Sequence, residues 1–227
     1  MTQPLIIIRP EPGASATMES AVRAGWTVIK EPLFHVRPVQ WALADDAQYD
    51  ALLAGSANAF RHGGHNLADL VHLPVYAVGE KTAALARKHG FSVRQGGNGG
   101  LSSLLPTLKN DGKRRILWLS AHDYVPLPAH DTQIDRVEVY ASEAAPMPDT
   151  LAETLRQPAI IALHSARAAT HFREQAICRG INIAQISLAC FAPRIAEAAD
   201  EGWAKIATAK SPNDEAMLEV AAQLCKT

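Results

Sequence analysis

The side chains best placed for chemistry in this chain are one tyrosine and two arginines. Tyr140 closes the alternating run Arg136–Tyr140, RVEVY. A phenol at a strand end can donate a proton to a bound molecule, although the same residue type also serves as half-buried packing. Arg9 follows the apolar run Leu5–Ile8, and Arg37 lies in the proline-bracketed stretch Pro32–Pro38. A further feature recurs at Ser56, Gly79 and Ser165: a small hydroxyl residue or glycine follows a buried apolar run and precedes a helical pattern. In open α/β sheets the carboxyl ends of the strands face the ligand crevice, and helix starts offer free N–H groups to anions. Ser56-Ala57-Asn58, Gly79 with Thr82, and Ser165-Ala166-Arg167 are therefore candidate binders of acidic groups. Each also works as a plain helix cap. Gly96, Gly97, Gly99 and Gly100 surround Asn98 in a loop whose backbone can approach a ligand. Ser102 and Ser103 are placed to cap the helix after it.

Other chemistry is scarce. There is no GxSxG, no P-loop lysine and no HExxH or CxxC pair, and Gly97–Ser102 lacks the third glycine of a dinucleotide fingerprint. Cys178, Cys190 and Cys225 are odd in number and far apart, which fits a reducing cytoplasm and gives no metal spacing. A net charge of -1 over 227 residues argues against a nucleic-acid surface or a polybasic membrane surface. The apolar start is only four residues long before Arg9-Pro10, so it reads as a strand rather than a membrane span. Backbone recognition of a polyanionic ligand suits such a near-neutral chain.

The elements that must position these residues alternate. Strands are expected at Leu5–Arg9, Thr27–Lys30, Asp50–Gly55, Val75–Val78, Phe91–Arg94, Arg115–Ser120, Arg136–Tyr140, Ala159–His164, Ile186–Phe191 and Trp203–Thr208. Helices are expected from Gly13 to Ala24, Thr82 to His89 with Ala83, Leu85 and Ala86 inward, Ser165 to Arg179, Pro193 to Asp200, and Asn213 to Leu224. This alternation predicts an α/β fold with parallel sheets covered on both faces. The Pro-rich stretch 122–130 has no readable pattern. Two segments repeat: Leu52–Ala59 resembles Ile161–Ala168, and Val75–Gly90 resembles Leu188–Gly202. A repeat of about 110 residues, each copy a βαβα unit, predicts two similar domains. The simplest arrangement inserts residues 38–142 into a domain made of 1–36 and 143–227, with two antiparallel connectors and a ligand cleft between the domains. A single doubly wound sheet without a cleft is the alternative.

In order and over nearly the whole chain, IIIRPEPGA, EPLFHVRP, DALLAGSANAF, VYAVGEKTAALARKHGF, GGNGGLSSLL, VEVYASE, ALHSARAATHF and SPNDEAML resemble the uroporphyrinogen-III synthase family. The strongest match is AVGEKTA, with Gly79 and Thr82 in the family spacing. The chain departs from the family at Ala192-Pro193 and Ile195, where Gly-Pro and a Thr are usual. It departs again at His122 and Asp123, where a Gly and an Arg are usual. The resemblance implies two α/β domains joined by a two-stranded linker. It also implies a cofactor-free, metal-free monomeric enzyme of the cytoplasm that closes the linear tetrapyrrole hydroxymethylbilane with inversion of its last ring and loss of water. The preceding pathway enzyme could hand over the substrate. The family's cleft tyrosine falls on Tyr140. Arg9, Arg37, Ser56, Ala57, Asn58, Gly79, Thr82, Asn98, Ser165, Ala166, Arg167 and Pro193 are the implied substrate contacts. Two other functions fit the same residues: a non-catalytic tetrapyrrole or anion sensor, and a nucleotide-dependent transferase. The missing acidic ribose ligand after the first strand argues against the second.

Overall fold

A computed structural model of the chain describes residues 3–43, 48–96 and 100–225. The elements run β1 (Leu5–Ile7), α1 (Gly13–Arg23), β2 (Val28–Lys30), β3 (Phe34–Pro38), β4 (Ala51–Ala54), α2 (Asn58–His62), β5 (Val75–Val78), α3 (Glu80–Lys88), β6 (Val93–Gly96), α4 (Leu105–Asn110), β7 (Arg115–Ala121), β8 (Gln133–Ala144), α5 (Asp149–Thr154), β9 (Ala159–Leu163), α6 (Ala166–Cys178), β10 (Ile186–Cys190), α7 (Pro193–Ala199), β11 (Lys205–Thr208) and α8 (Asp214–Leu224). Short 3-10 turns occupy His65–Leu70, Leu101–Leu104 and Ile183–Gln185. No described helix is long and apolar enough to cross a membrane.

The chain divides into two compact units, Met1–His35 with Glu143–Thr227, and Val36–Ser142. The first unit holds a five-stranded sheet in the order β11-β10-β9-β1-β2, with every pairing parallel. Its three inner strands, β10, β9 and β1, are buried on both faces, so they read as continuous apolar runs. Leu5, Ile7, Ile160 and Ala162 meet Ala14 of α1 and Met217 and Leu218 of α8. Ile6, Ile8, Ile161 and Leu163 turn the other way, onto Leu151 of α5, Phe172 of α6 and Ile195 of α7. Each such side chain contributes about 1.5–3 kcal/mol by leaving water.

The second unit holds most of a six-stranded sheet ordered β3-β8-β7-β4-β5-β6. Pairings from β8 to β6 are parallel. Leu52, Ala54, Val75 and Ala77 pack on Phe60 of α2 and Ala83 and Ala86 of α3. Ala51, Leu53, Tyr76 and Trp118 pack on Leu108 of α4. At the sheet edge the Ala145 N–H donates to Leu33 O at 2.9 Å, and the Val39 N–H donates to Val139 O at 3.1 Å. From Leu33 to Val39, across β3, the chain advances six residues while its partner steps back six, from Ala145 to Val139, which is the antiparallel relation.

Several expectations need correction. The sixth strand starts at Val93, not Phe91, because the end of α3 claims the intervening residues. The Gly90 N–H donates to Arg87 O at 2.9 Å and the Phe91 N–H to Ala86 O at 3.2 Å, which is a Schellman closure with Phe91 as its buried plug. Leu85 is only half-buried, whereas Thr82 is 4% exposed. Ser102 and Ser103 do not cap. Gly100 precedes the 3-10 turn, and the Ser103 hydroxyl donates back to Gly100 O at 2.7 Å instead of accepting an N–H. Trp203 lies before β11, stacked on Phe172 at 5.6 Å between ring centroids. The helix α5 and the 3-10 turns carry too short a periodicity to be read. Residues 122–132 form no helix or strand.

Candidate active site

Parallel sheets gather the carboxyl ends of their strands on one side, and Ser56, Gly79, Arg9, Ser165 and Pro193 each follow such an end. The order of the second sheet steps from β4 outward to β5 and β6 on one side, and to β7 and β8 on the other. The β4–β7 boundary is therefore its switch point. Ser56 follows β4, Gly79 follows β5, and Tyr140 stands opposite Ala121, the last residue of β7.

A bulge aims Tyr140. Ser120 pairs with Glu138 and Ala121 with Tyr140, so Val139 has no partner of its own on β7. Strict alternation would send Val139 and Tyr140 to opposite faces. The extra residue instead puts both into the core layer that holds Ala59 and Phe60 of α2. Tyr140 is 9% exposed. Burial pushes its phenol above the ordinary tyrosine value, and a hydrogen bond with the Ser56 side chain pulls it back. The group is a neutral donor. The ring of His62 lies 6.3 Å from that of Tyr140, and burial, followed by the charge of Arg61, holds His62 below the ordinary histidine value. The Ser56 hydroxyl also accepts from the Asn58 N–H at 3.2 Å, Ala57 is the residue before α2, and Asn58 opens that helix with its side-chain oxygen held by Arg61. Gly79 precedes α3 at φ 74°, a conformation suited to glycine, and a side chain there would find open space. Arg37 is exposed on β3. Asn98 lies outside the described residues.

The first unit presents its own strand-end cluster, at the β1–β9 boundary where its sheet order reverses. Arg9 follows β1, His164 follows β9, Thr17 is on α1, and Asp214 opens α8. Arg9 Nη1 donates to Thr17 Oγ1 at 3.2 Å and stands 3.6 Å from Asp214 Oδ1. The Thr17 hydroxyl donates to that same oxygen at 3.1 Å, and His164 Nε2 lies 3.3 Å from it. The hydrogen bond from His164, then Arg9 and Thr17, hold Asp214 below the ordinary carboxylate range despite partial burial. Burial holds His164 below the ordinary histidine value against the pull of Asp214. Burial also lowers Arg9. The phenyl ring of Phe191 covers His164 at 4.7 Å.

The remaining candidates in this unit are more dispersed. Ser165 is the N-cap of α6 and accepts from the Ala168 N–H at 3.1 Å, Ala166 opens the helix, and Arg167 places its guanidinium 4.9 Å from the centre of the Phe34 ring. Pro193 is the exposed first residue of α7. Ile195, where the family pattern has a Thr, is buried in the core. Sequence reasoning does not single out His62, Thr17, His164 or Asp214. The available signals are the histidine ending AIIALH and the acidic residue behind the Asn213 cap. Among the described residues no group of three or more His, Cys, Asp or Glu is gathered as a metal would need.

The family model for uroporphyrinogen-III synthase HemD matches residues 15–219. Two solved structures share the fold. A uroporphyrinogen-III synthetase from Helicobacter pylori 26695 has 18% identity, with 98% of this chain and 100% of that one covered, at a TM-score of 0.69. A mutant uroporphyrinogen III synthase from the extremely thermophilic bacterium Thermus thermophilus has 17% identity, with 99% and 100% covered, at a TM-score of 0.58. No curated protein matches the chain.

Proposed function

The chain belongs to the uroporphyrinogen-III synthase family, and from that premise we propose how its two strand-end clusters divide the work. The reaction closes hydroxymethylbilane to uroporphyrinogen III, an early step of heme biosynthesis, with inversion of the last pyrrole ring and loss of water. The single observation that carries this reading is the family match over residues 15–219.

The substrate is reactive by itself. Loss of its hydroxyl gives a conjugated azafulvene. Attack at a substituted pyrrole carbon then gives a spiro intermediate, which reopens and closes with the ring turned over. The enzyme's task is to hold the conformer from which the uninverted closure loses. Tyr140 is the catalytic residue: its buried neutral phenol donates to the departing hydroxyl. Arg9, Arg37, Ser56, Ala57, Asn58, Gly79, Thr82, Asn98, Ser165, Ala166, Arg167 and Pro193 line the substrate's carboxylates, chiefly through backbone N–H groups.

The finer organisation is part of the same proposal. Residues 1–36 with 143–227 form one domain and 38–142 the other, joined by the β3 and β8 strands, with the substrate taken between them. The enzyme is a hydro-lyase that works without a cofactor, as a cytoplasmic monomer receiving hydroxymethylbilane from the enzyme that makes it. The test is chromatography of the uroporphyrinogen isomers formed from fresh hydroxymethylbilane. The III isomer should dominate with enzyme and the I isomer without it. Binding with an unchanged isomer ratio would make the protein a sensor and overturn the assignment.

A further inference from the structure

We propose that Gly13, Thr17 and Asp214 are positioning residues that hold the Arg9 guanidinium ready for a substrate carboxylate. The proposal deepens the reading that Arg9 binds substrate, and rests on it. Arg9 is a strand-end cation fixed from several elements at once. Thr17 on α1 takes a hydrogen bond from Nη1 at 3.2 Å and passes its own to Asp214 Oδ1 at 3.1 Å. Asp214 is set in turn by His164, whose side chain is 6% exposed. Gly13 contributes by leaving room for the guanidinium. A Cβ at Gly13 would sit 2.5 Å from Arg9 Nε and 2.7 Å from both Cζ and Nη2. The guanidinium therefore lies directly over the first residue of α1, in space that any side chain at position 13 would take.

This arrangement uses one edge of the fork and leaves the other. The contacts to Thr17 and Asp214 are made by Nη1, and Nε and Nη2 have no hydrogen-bond partner among the described residues. The Arg9 side chain is 29% exposed. A planar fork with one edge anchored and the other free of hydrogen bonds to the described residues suits bidentate reception of a carboxylate. A fork held in place before binding loses less rotamer entropy on binding. The ligand class is the acetate or propionate arm of the linear tetrapyrrole.

Gly13→Ala tests the idea without touching a charge. Position 13 opens a helix and its φ lies outside the left-handed region, so alanine is compatible with the fold. The methyl group displaces the guanidinium instead. Arg9→Ala should raise KM for hydroxymethylbilane about 10- to 100-fold, the loss expected for charge-assisted hydrogen bonds. Gly13→Ala should raise KM at least about 5-fold, with kcat little changed and Tm equal or higher. In the Arg9→Ala background it should add nothing. Asp214→Asn supplies a second, signed readout. If Asp214 only neutralised Arg9, its removal would strengthen carboxylate binding and lower KM, whereas a positioning role predicts a rise. An unchanged KM in Gly13→Ala with a raised KM in Arg9→Ala overturns the positioning role and leaves Arg9 as a ligand. A lowered KM in Asp214→Asn overturns it as well. An unchanged KM in Arg9→Ala overturns both readings.

Discussion

At the scale of single residues, burial sets the chemistry of the two clusters. Tyr140→Phe keeps the ring in its core layer and deletes the donor. The variant should fold with a Tm near that of the parent, and its kcat should fall roughly 10- to 1000-fold, or about 1.4–4 kcal/mol of transition-state stabilisation. On the proposed mechanism, in which positioning decides inversion, the product should remain mostly the III isomer. An unchanged kcat would reduce Tyr140 to packing, and a collapsed isomer ratio would make it a positioning group. His164 gives a stability prediction. Its folded value lies below the ordinary 6.5, with burial outweighing the hydrogen bond to Asp214 and the nearby Arg9 also opposing the proton. The unfolded chain therefore takes up a proton first as pH drops through about 6.5, and stability falls from there. His62 acts in the same direction. Asp214 is depressed instead, so its contribution is intact above the ordinary 3.8 and is lost only in more acid solution. The Tm should drop between about pH 7.5 and 5.5, and His164→Gln should shrink that drop. Equal drops in both proteins would mean that His164 is not held neutral.

At the scale of elements, capping can be read from the sequence and sheet irregularity cannot. Asn213 and Ser165 are legible because a polar residue before an apolar helical run has few other uses. Both accept the N–H expected of a cap, Asn213 from Ala216 at 2.8 Å. Asn213→Ala should cost about 1 kcal/mol, or roughly 2–4 °C of Tm in a chain of this size. A Tm shift under about 1 °C would mean that the cap is not needed. The same variant loosens the turn that presents Asp214, so KM should rise modestly with it. The bulge at Val139 is not legible. RVEVY alternates cleanly, and only pairing with β7 shows that Tyr140 shares a face with Val139. Phe91 reads as a strand residue because its aromatic ring looks the same whether it plugs a helix end or lines a sheet. The Arg9 cluster is hidden for another reason. Its members stand at positions 9, 17, 164 and 214, and no local pattern joins residues that meet only when β1 pairs with β9.

At the scale of the whole molecule, the internal repeat explains both sheets. In the second unit β4 is flanked outward by β5 and β6 on one side and by β7 and β8 on the other. In the first, β9 is flanked by β10 and β11 and by β1 and β2. The neighbours correspond, but β7 and β8 follow their central strand in the chain whereas β1 and β2 precede theirs. The copies are circular permutants, which is why the sequence shows only the β4–α3 and β9–α7 halves of the likeness. Each unit carries apolar layers on both faces of its sheet, the property that lets a domain fold alone. The covalent topology allows a direct test. Residues 36–142 are continuous. The first unit is interrupted only where β3 and β8 run side by side, with Leu33 and Ala145 hydrogen-bonded at 2.9 Å. An Asn-Gly turn in place of 36–142 would close that gap as a hairpin. Both the shortened chain and the isolated 36–142 segment should show cooperative thermal unfolding by circular dichroism. If the site draws on both units as proposed, neither piece alone should turn over hydroxymethylbilane, since Tyr140 and Arg9 then stand on different polypeptides. A molten 36–142 segment would show that its layers need the rest of the chain. Synthase activity in either piece would place the whole reaction within one unit and remove the other from the site.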